Sequence, residues 1–245
     1  MQNASGKIAL VTGANKGIGF EIAGRIARAG ATVLLGARNE SAGAASAAVL
    51  ADAGLAVKYI AIDVTDRDSI AAAASAIAAD VGRLDILVNN AGISAAASGD
   101  GRPSVASYDA VERVLRTNFM GALAVSQAVL PLLRKARAGR IVNVSSGLGS
   151  LTQMSDPTGA FSDIQLIGYS ASKAALNMLT VRLAHELRDT TITVHSVDPG
   201  YTATDLNGRR GHQSIAEGAA EAIRVALGHG VPTGTFTDRN GAVAW

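Results

Sequence analysis

The sequence predicts an α/β domain with a parallel sheet covered on both faces, and three observations predict it. Short β-branched runs alternate with longer Ala-rich segments along the whole 245-residue chain. The short runs are continuously apolar, as strands buried on both faces are. No linker, low-complexity tract or internal repeat divides the chain, so residues 1–245 read as one unit. The expected architecture is a single doubly wound Rossmann-type domain with about seven strands.

The elements follow in order. "KIALVTG" is the first strand, and "GIGFEIAGRIARAG" a helix with Ile18, Ile22 and Ile26 on one face, stopped by Gly30. "ATVLLGA" is the second strand, followed by the Ala-rich helix "NESAGAASAAVLADAG". "AVKYIAIDV" is the third, and Thr65 or Asp66 caps the helix after it. "RLDILVNNAG" is the fourth. A long helical region from about 105 to 137 comes next, with Asn118 and Gly121 inside it and Pro131 weakening its last turns. "GRIVNVSS" is the fifth strand, "YSASKAALNMLTVRLAHELR" a strong helix, and "TITVHSVDPG" the sixth strand. A helix near 215–227 and a short strand at "GTFTD" complete the pattern.

Composition removes several functional classes. A hydrophobic fraction of 48 % against 17 % charged residues excludes a disordered chain. The absence of Cys excludes disulfides, thiolate catalysis and Cys-based zinc sites, and suits a cytoplasmic setting. The N-terminal segment lacks the layout of a signal peptide, and no apolar run is long enough to span a membrane. The net charge is only +2, and the basic clusters are "RKARAGR" and Arg209–Arg210. With aromatics at 4 %, these read as a solvated helix end and a loop, not as a nucleic-acid surface. His185, His195, His212 and His229 lack metal-ligand spacing, so no metal site is expected.

In a doubly wound sheet, ligands bind beyond the carboxyl ends of the strands, where the strand order reverses. After the first strand stands "TGANKGIG", with Gly13, Gly17 and Gly19 in GxxxGxG spacing and Asn15, Lys16 and Ile18 between them. Glycine lets backbone N–H groups approach a pyrophosphate, and the following helix directs its positive end at the anion. The second strand ends in "GARNE", with Arg38 where an NAD site carries an acid. A carboxylate there repels a 2′-phosphate, whereas Arg38 attracts it, and Lys16 is placed to add a second charge. Both favour NADP(H) over NAD(H). Asp63 and Val64 extend the rim toward the adenine, although Asp63 is equally a helix-initiating residue. Asn90, Ala91 and Gly92 of "NNAG" bring backbone close to a ribose.

"YSASKAAL" carries a phenol and an ammonium at i and i+4, so Tyr169 and Lys173 share a helix face. An ammonium about 4 Å from a phenolate, at an effective dielectric of about 20, contributes about 4 kcal/mol. That is enough in principle to draw a phenol from about 10 toward 7, less where water screens the pair.

Together, "TGANKGIG", "DV" at 63, "NNAG", Asn118, "IVNVSS", "YSASK" and "DPG" at 198 resemble the short-chain dehydrogenase/reductase family, in the family's order. The look is closest to its NADPH-dependent carbonyl reductases. The resemblance implies reversible hydride transfer between NADP(H) and a ketone or aldehyde, with Tyr169 as general acid/base. It implies that Ser146, with Ser145 as fallback, stabilises the oxyanion. Lys173 then holds the nicotinamide ribose, and Asn118 steadies a water linking Lys173 to solvent. Pro199 and Gly200 turn the chain beneath the nicotinamide, and Thr202 bonds its carboxamide. The other class open to this fold is a non-catalytic NADP(H) sensor or scaffold. The connection from Ser146 to Tyr169 is about ten residues longer than the family's commonest spacing. The resemblance assigns residues 147–168 and 202–214 to substrate and leaves monomer and homo-oligomer both open. Trp245 reads as a subunit contact or a frayed end.

Overall fold

The computed structural model describes residues 3–228 and 231–245; His229 lies outside them. The strands are β1 (Ile8–Thr12), β2 (Thr32–Ala37), β3 (Val57–Ala61), β4 (Ile86–Asn89), β5 (Arg140–Val144), β6 (Thr193–Val197), β7 (Thr235–Asp238) and β8 (Gly241–Ala242). They form one sheet in the order β3-β2-β1-β4-β5-β6-β7-β8. All neighbours run parallel except β7 and β8. That antiparallel edge adds a strand to the seven expected. The order reverses between β1 and β4, so the loops after these two strands leave in opposite directions and open a crevice.

The strands are buried on both sides, and successive residues serve different cores. Ala9 and Val11 of β1 pack with α1 (Gly17–Arg28), α2 (Glu40–Asp52) and α8 (Ile215–Leu227) through Ile22, Ile26, Leu50 and Val225. Ile8 and Leu10 face the opposite layer, formed by α3 (Arg67–Asp80), α5 (Ala122–Leu133) and α7 (Ile167–Glu186). That alternation is the two-residue period of a strand. Several local expectations hold. Gly30 ends α1 at φ +99°. Asp66, not Thr65, caps α3, accepting from Asp68 N and Ser69 N.

The region expected as one helix from 105 to 137 begins later and is interrupted. Ser107 caps α4 (Tyr108–Leu115), which runs into a π-helical turn, Arg116–Gly121, before α5. A Cβ on Gly121 would lie 2.8 Å from Val64 O, so this turn passes close against the loop after β3. Pro131 sits inside α5, which ends at Leu133. The connection 147–168 holds a short helix, α6 (Leu151–Met154). Trp245 is not frayed: its ring stacks on Phe236 at 5.5 Å, and its main-chain oxygen accepts from Thr152 N (2.9 Å) and Oγ1 (2.7 Å). No helix among the described residues is long and apolar enough to cross a membrane, and they hold no metal-binding group of His, Asp or Glu.

His195 on β6 is fully buried, with Nδ1 3.1 Å from Thr235 Oγ1 and Nε2 without a partner. Burial first, then the Arg140 and Arg224 guanidiniums, push its imidazole down to about 4. Between about 6.5 and about 4 the unfolded chain binds a proton that the folded one refuses. Stability therefore falls as pH drops through that window, by about 3 kcal/mol in total. Thermal midpoints at neutral pH and near pH 4.5 should show the loss, and His195→Gln should flatten that part of the slope.

Candidate active site

The phosphate loop is shaped by contacts that exclude side chains. Gly13 and Gly17 have φ of +63° and +58°. A Cβ on Gly13 would meet Ala91 Cα at 2.8 Å, and one on Gly19 would meet the Asn90 side chain. Lys16 occupies the N-cap of α1 with no side-chain cap, so the first-turn N–H groups face outward from the loop without a side-chain acceptor. This cradle suits the pyrophosphate of a dinucleotide. Asn15 O accepts from Ser46 Oγ at 2.7 Å, which ties the loop to α2, and Ile18 is half-buried behind it.

The two loops that border the crevice are stitched together. Thr12 Oγ1 accepts from Asn90 N and Ala91 N, both at 3.1 Å. Asn90 Nδ2 in turn donates to Thr12 O (2.9 Å) and Gly13 O (3.1 Å). Asn90 thus braces the loop with its amide, and Thr12, which sequence reasoning missed, is its partner. A threonine at a strand end carries no signal of that role.

Arg38 is exposed at the end of β2. Burial raises the Asp63 carboxyl, but hydrogen bonds from Thr65 N (2.8 Å) and Oγ1 (2.7 Å), with Arg38 and Arg116 nearby, hold it below its usual value. Val64 is buried against Gly121. Lys16 does not stand free for a phosphate: its Nζ pairs with Asp205 at 2.8 Å, and Arg209 reaches the same carboxylate at 3.3 Å. That ion pair links the phosphate loop to residues 202–214.

The catalytic candidates converge beside this crevice. Tyr169 and Lys173 lie on α7, with Lys173 Nζ 5.6 Å from the phenol ring centroid. Nζ is buried and donates to Val144 O at 2.8 Å. Ser146 Oγ accepts from Leu148 N at 3.2 Å, and Ser145 is turned away, donating to Asn177 Oδ1 at 2.6 Å. Gly92 passes between Asn118 and Lys173; a Cβ there would lie 3.4 Å from Asn118 Oδ1 and 3.6 Å from Lys173 Nζ.

One expectation needs correction. The phenol is not drawn toward 7 but pushed up to about 12, by burial first and the Asp198 carboxylate second, against the Ser146 hydrogen bond. Burial likewise lowers Lys173 to about 8, opposed by Asp198. Removing water from both groups outweighs what the ammonium contributes. The Asn118 side chain is already engaged: Oδ1 accepts from Ile93 N (2.8 Å), and Nδ2 donates to Ile93 O and Ser172 Oγ (3.0 Å each). It clamps the loop after β4. Thr202 is buried and donates its hydroxyl to Pro199 O at 3.0 Å. Gly200, at φ +68°, does make the expected turn with Pro199.

The comparison with known proteins decides the family. The model described as short chain dehydrogenase matches residues 7–214. The chain belongs to the short-chain dehydrogenase/reductase family. Short-chain dehydrogenase/reductase 1 of Saponaria officinalis is 36 % identical, with 97 % of this chain and 95 % of that protein covered. (+)-Neomenthol dehydrogenase of Arabidopsis thaliana is 30 % identical, with 98 % of each covered. Among solved structures, NADPH-bound carbonyl reductase from chicken fatty liver superposes over the full length of both chains at a TM-score of 0.85 and 27 % identity. The chain is thus an oxidoreductase of this family.

On the short-chain dehydrogenase framework, three further residues stand out that the sequence did not single out. Asp100, buried in the loop after β4, accepts from Gly168 N (2.7 Å) and Tyr169 N (2.9 Å), so it caps the helix that carries the phenol. Thr204 faces the phosphate loop, its Cγ2 3.9 Å from where a Gly17 Cβ would sit. Phe161, from the long connection, packs its ring at 2.7 Å from a Cβ position on Gly147. The connection thus lies against the turn that bears Ser146.

Proposed function

We propose that the chain is an NADPH-dependent reductase of ketones or aldehydes, reversible as an alcohol dehydrogenase. The observation that carries the reading is the meeting of Ser146, Tyr169 and Lys173 at the carboxyl ends of β5 and α7's first turns, beside the glycine cradle. A cofactor sensor has no need for a serine, a phenol and a buried ammonium brought together.

When bound, NADPH supplies the hydride that reduces the carbonyl carbon. Ser146 donates a hydrogen bond to the carbonyl oxygen, stabilising the charge that develops there. Tyr169 delivers its hydroxyl proton to the same oxygen, forming the alcohol. A phenol held near 12 is fully protonated at neutral pH and therefore ready to act as the acid. Lys173, anchored on Val144 O, stabilises the phenolate left behind and is placed to hold a ribose hydroxyl. Asn118 keeps the loop after β4 in place beside it. Gly13, Asn15, Gly17, Ile18 and Gly19 frame the pyrophosphate, Asp63 and Val64 the adenine, and Asn90, Ala91 and Gly92 the adjoining ribose. Pro199 and Gly200 turn beneath the nicotinamide, with Thr202 fixing that turn from behind. Arg38, exposed at the end of β2, would hold the 2′-phosphate, with Lys16 nearby on the phosphate loop.

A panel of aldehydes, ketones and secondary alcohols, read by NADPH absorbance, tests the reading. Turnover of several carbonyl compounds with NADPH is expected. Tight NADPH binding without turnover of any member would assign a sensor instead.

A further inference from the structure

Residues 100 and 101 supply what the start of α7 lacks. Leu166, at its N-cap, offers no side-chain acceptor, and the helix begins its own ladder only where Ser170 N donates to Leu166 O. The three N–H groups before Ser170 need partners from elsewhere. Gly101 O takes Ile167 N at 3.2 Å. Asp100 takes the next two with one oxygen each: Gly168 N on Oδ1 at 2.7 Å and Tyr169 N on Oδ2 at 2.9 Å. Asp100 is only 4 % exposed, so water does not compete for these bonds. Gly168 permits the approach, since a Cβ there would lie 3.0 Å from Val111 Cα and 3.2 Å from the Asp100 carboxyl. The same loop also meets the side chain of Tyr169. Ala95 belongs to the apolar cluster on which Tyr169 packs, and Ala95 O accepts from Ser98 N (2.8 Å) and Asp100 N (3.0 Å). The residue against the phenol and the residue on its amide therefore belong to one hydrogen-bonded turn.

Resting on the reductase reading above, we propose that Asp100 is a positioning residue for proton delivery: its buried carboxylate fixes the Tyr169 main chain to the loop after β4, which also carries Asn90, Ala91 and Gly92. The acid is thereby indexed to the cofactor side of the site and not to the connection 147–168 that leads into α7. The other end of the residue is tied back to the same loop. Tyr169 O accepts from Ser172 Oγ at 2.7 Å, Ser172 Oγ accepts from Asn118 Nδ2 at 3.0 Å, and Asn118 grips Ile93 through both its N–H and its carbonyl. Hydride and proton must reach the two ends of one carbonyl bond, so the phenol has to stand at a fixed place relative to the nicotinamide. A misplacement of about 1 Å costs on the order of 10²-fold in rate. Asp100 acts on that placement through the Tyr169 main chain.

The test compares wild type with Asp100→Ala, Asp100→Asn and Gly168→Ala, the last of which presses on the same contact from the helix side. In Asp100→Ala, kcat for carbonyl reduction per NADPH-binding site should fall by about 10- to 100-fold. Asp100→Asn keeps one acceptor and should recover part of the loss. NADPH affinity and the KM for the carbonyl compound should stay at their wild-type values. A purely structural role would reduce the number of NADPH-binding sites and leave kcat per site unchanged, and that result overturns the proposal. If Asp100→Ala does not fold, Asp100→Asn and Gly168→Ala give the same readout. Amide hydrogen exchange over residues 167–170 needs no turnover: it should quicken in Asp100→Asn, and unchanged protection overturns the clamp. A wild type that binds NADPH and reduces no carbonyl compound would overturn the reductase reading, a failure separate from that of the clamp, which the exchange result decides alone.

Discussion

Tyr169→Phe should lower NADPH-coupled carbonyl reduction by about 10²- to 10⁴-fold, the usual contribution of a positioned general acid. NADPH affinity should remain near that of wild type. The substitution removes one oxygen and leaves the framework in place. The ring still packs against Ile93, Ala95, Ala110 and Val114. Lys173 is held by Val144 O and Ser146 Oγ accepts from Leu148 N at 3.2 Å, so neither relies on the phenol for its position. Asp100 continues to cap the helix through backbone N–H groups that the change does not touch. Steady-state rates and a fluorescence titration with NADPH separate the two effects. Turnover at the wild-type rate would remove Tyr169 from the mechanism.

Arg38→Asp should invert the cofactor preference. A hydrogen bond to a charged group contributes about 1.5–3 kcal/mol, so loss of the Arg38 contact with a 2′-phosphate weakens NADPH by about 10- to 150-fold. The new carboxylate repels the same phosphate and is the group that accepts from ribose hydroxyls in NAD sites. It also stands near Asp63, which loses a cation that now favours its charge. Lys16 offsets little of this, because Asp205 competes for it. The ratio of kcat/KM for NADPH over NADH, measured before and after the change, is the readout. A wild-type preference for NADH would show that the end of β2 does not read a phosphate.

Much of the fold is legible in the sequence, because each strand and helix is specified by residues within it. Ile22 and Ile26 mark a buried helix face by their spacing alone, and α8 falls within the expected 215–227. The glycine loop is legible for the same reason. What the sequence hides depends on partners far along the chain. The π-helical turn is set where Gly121 meets Val64. Asp100 caps a helix 68 residues away, and nothing in "GDGRPS" points there. Tyr169 and Lys173 are recognisable as a pair, yet the state of the phenol depends on burial and on Asp198, neither of which their spacing encodes. Lys16 looks like a free cation in the loop and becomes a paired one only when residue 205 is brought beside it.

The Trp245 clasp has a consequence for how the protein loses activity on heating. β8 is a two-residue strand paired on one side only, and such edges open locally before the rest of a structure melts. Opening it loosens the Trp245 ring from Phe236 and withdraws the oxygen that holds Thr152, at the start of the long connection beside Ser146. The connection after Ser146 is therefore tied to a sheet edge made by a two-residue strand. Inactivation should set in at temperatures where the central strands are still intact, and it should reverse on cooling.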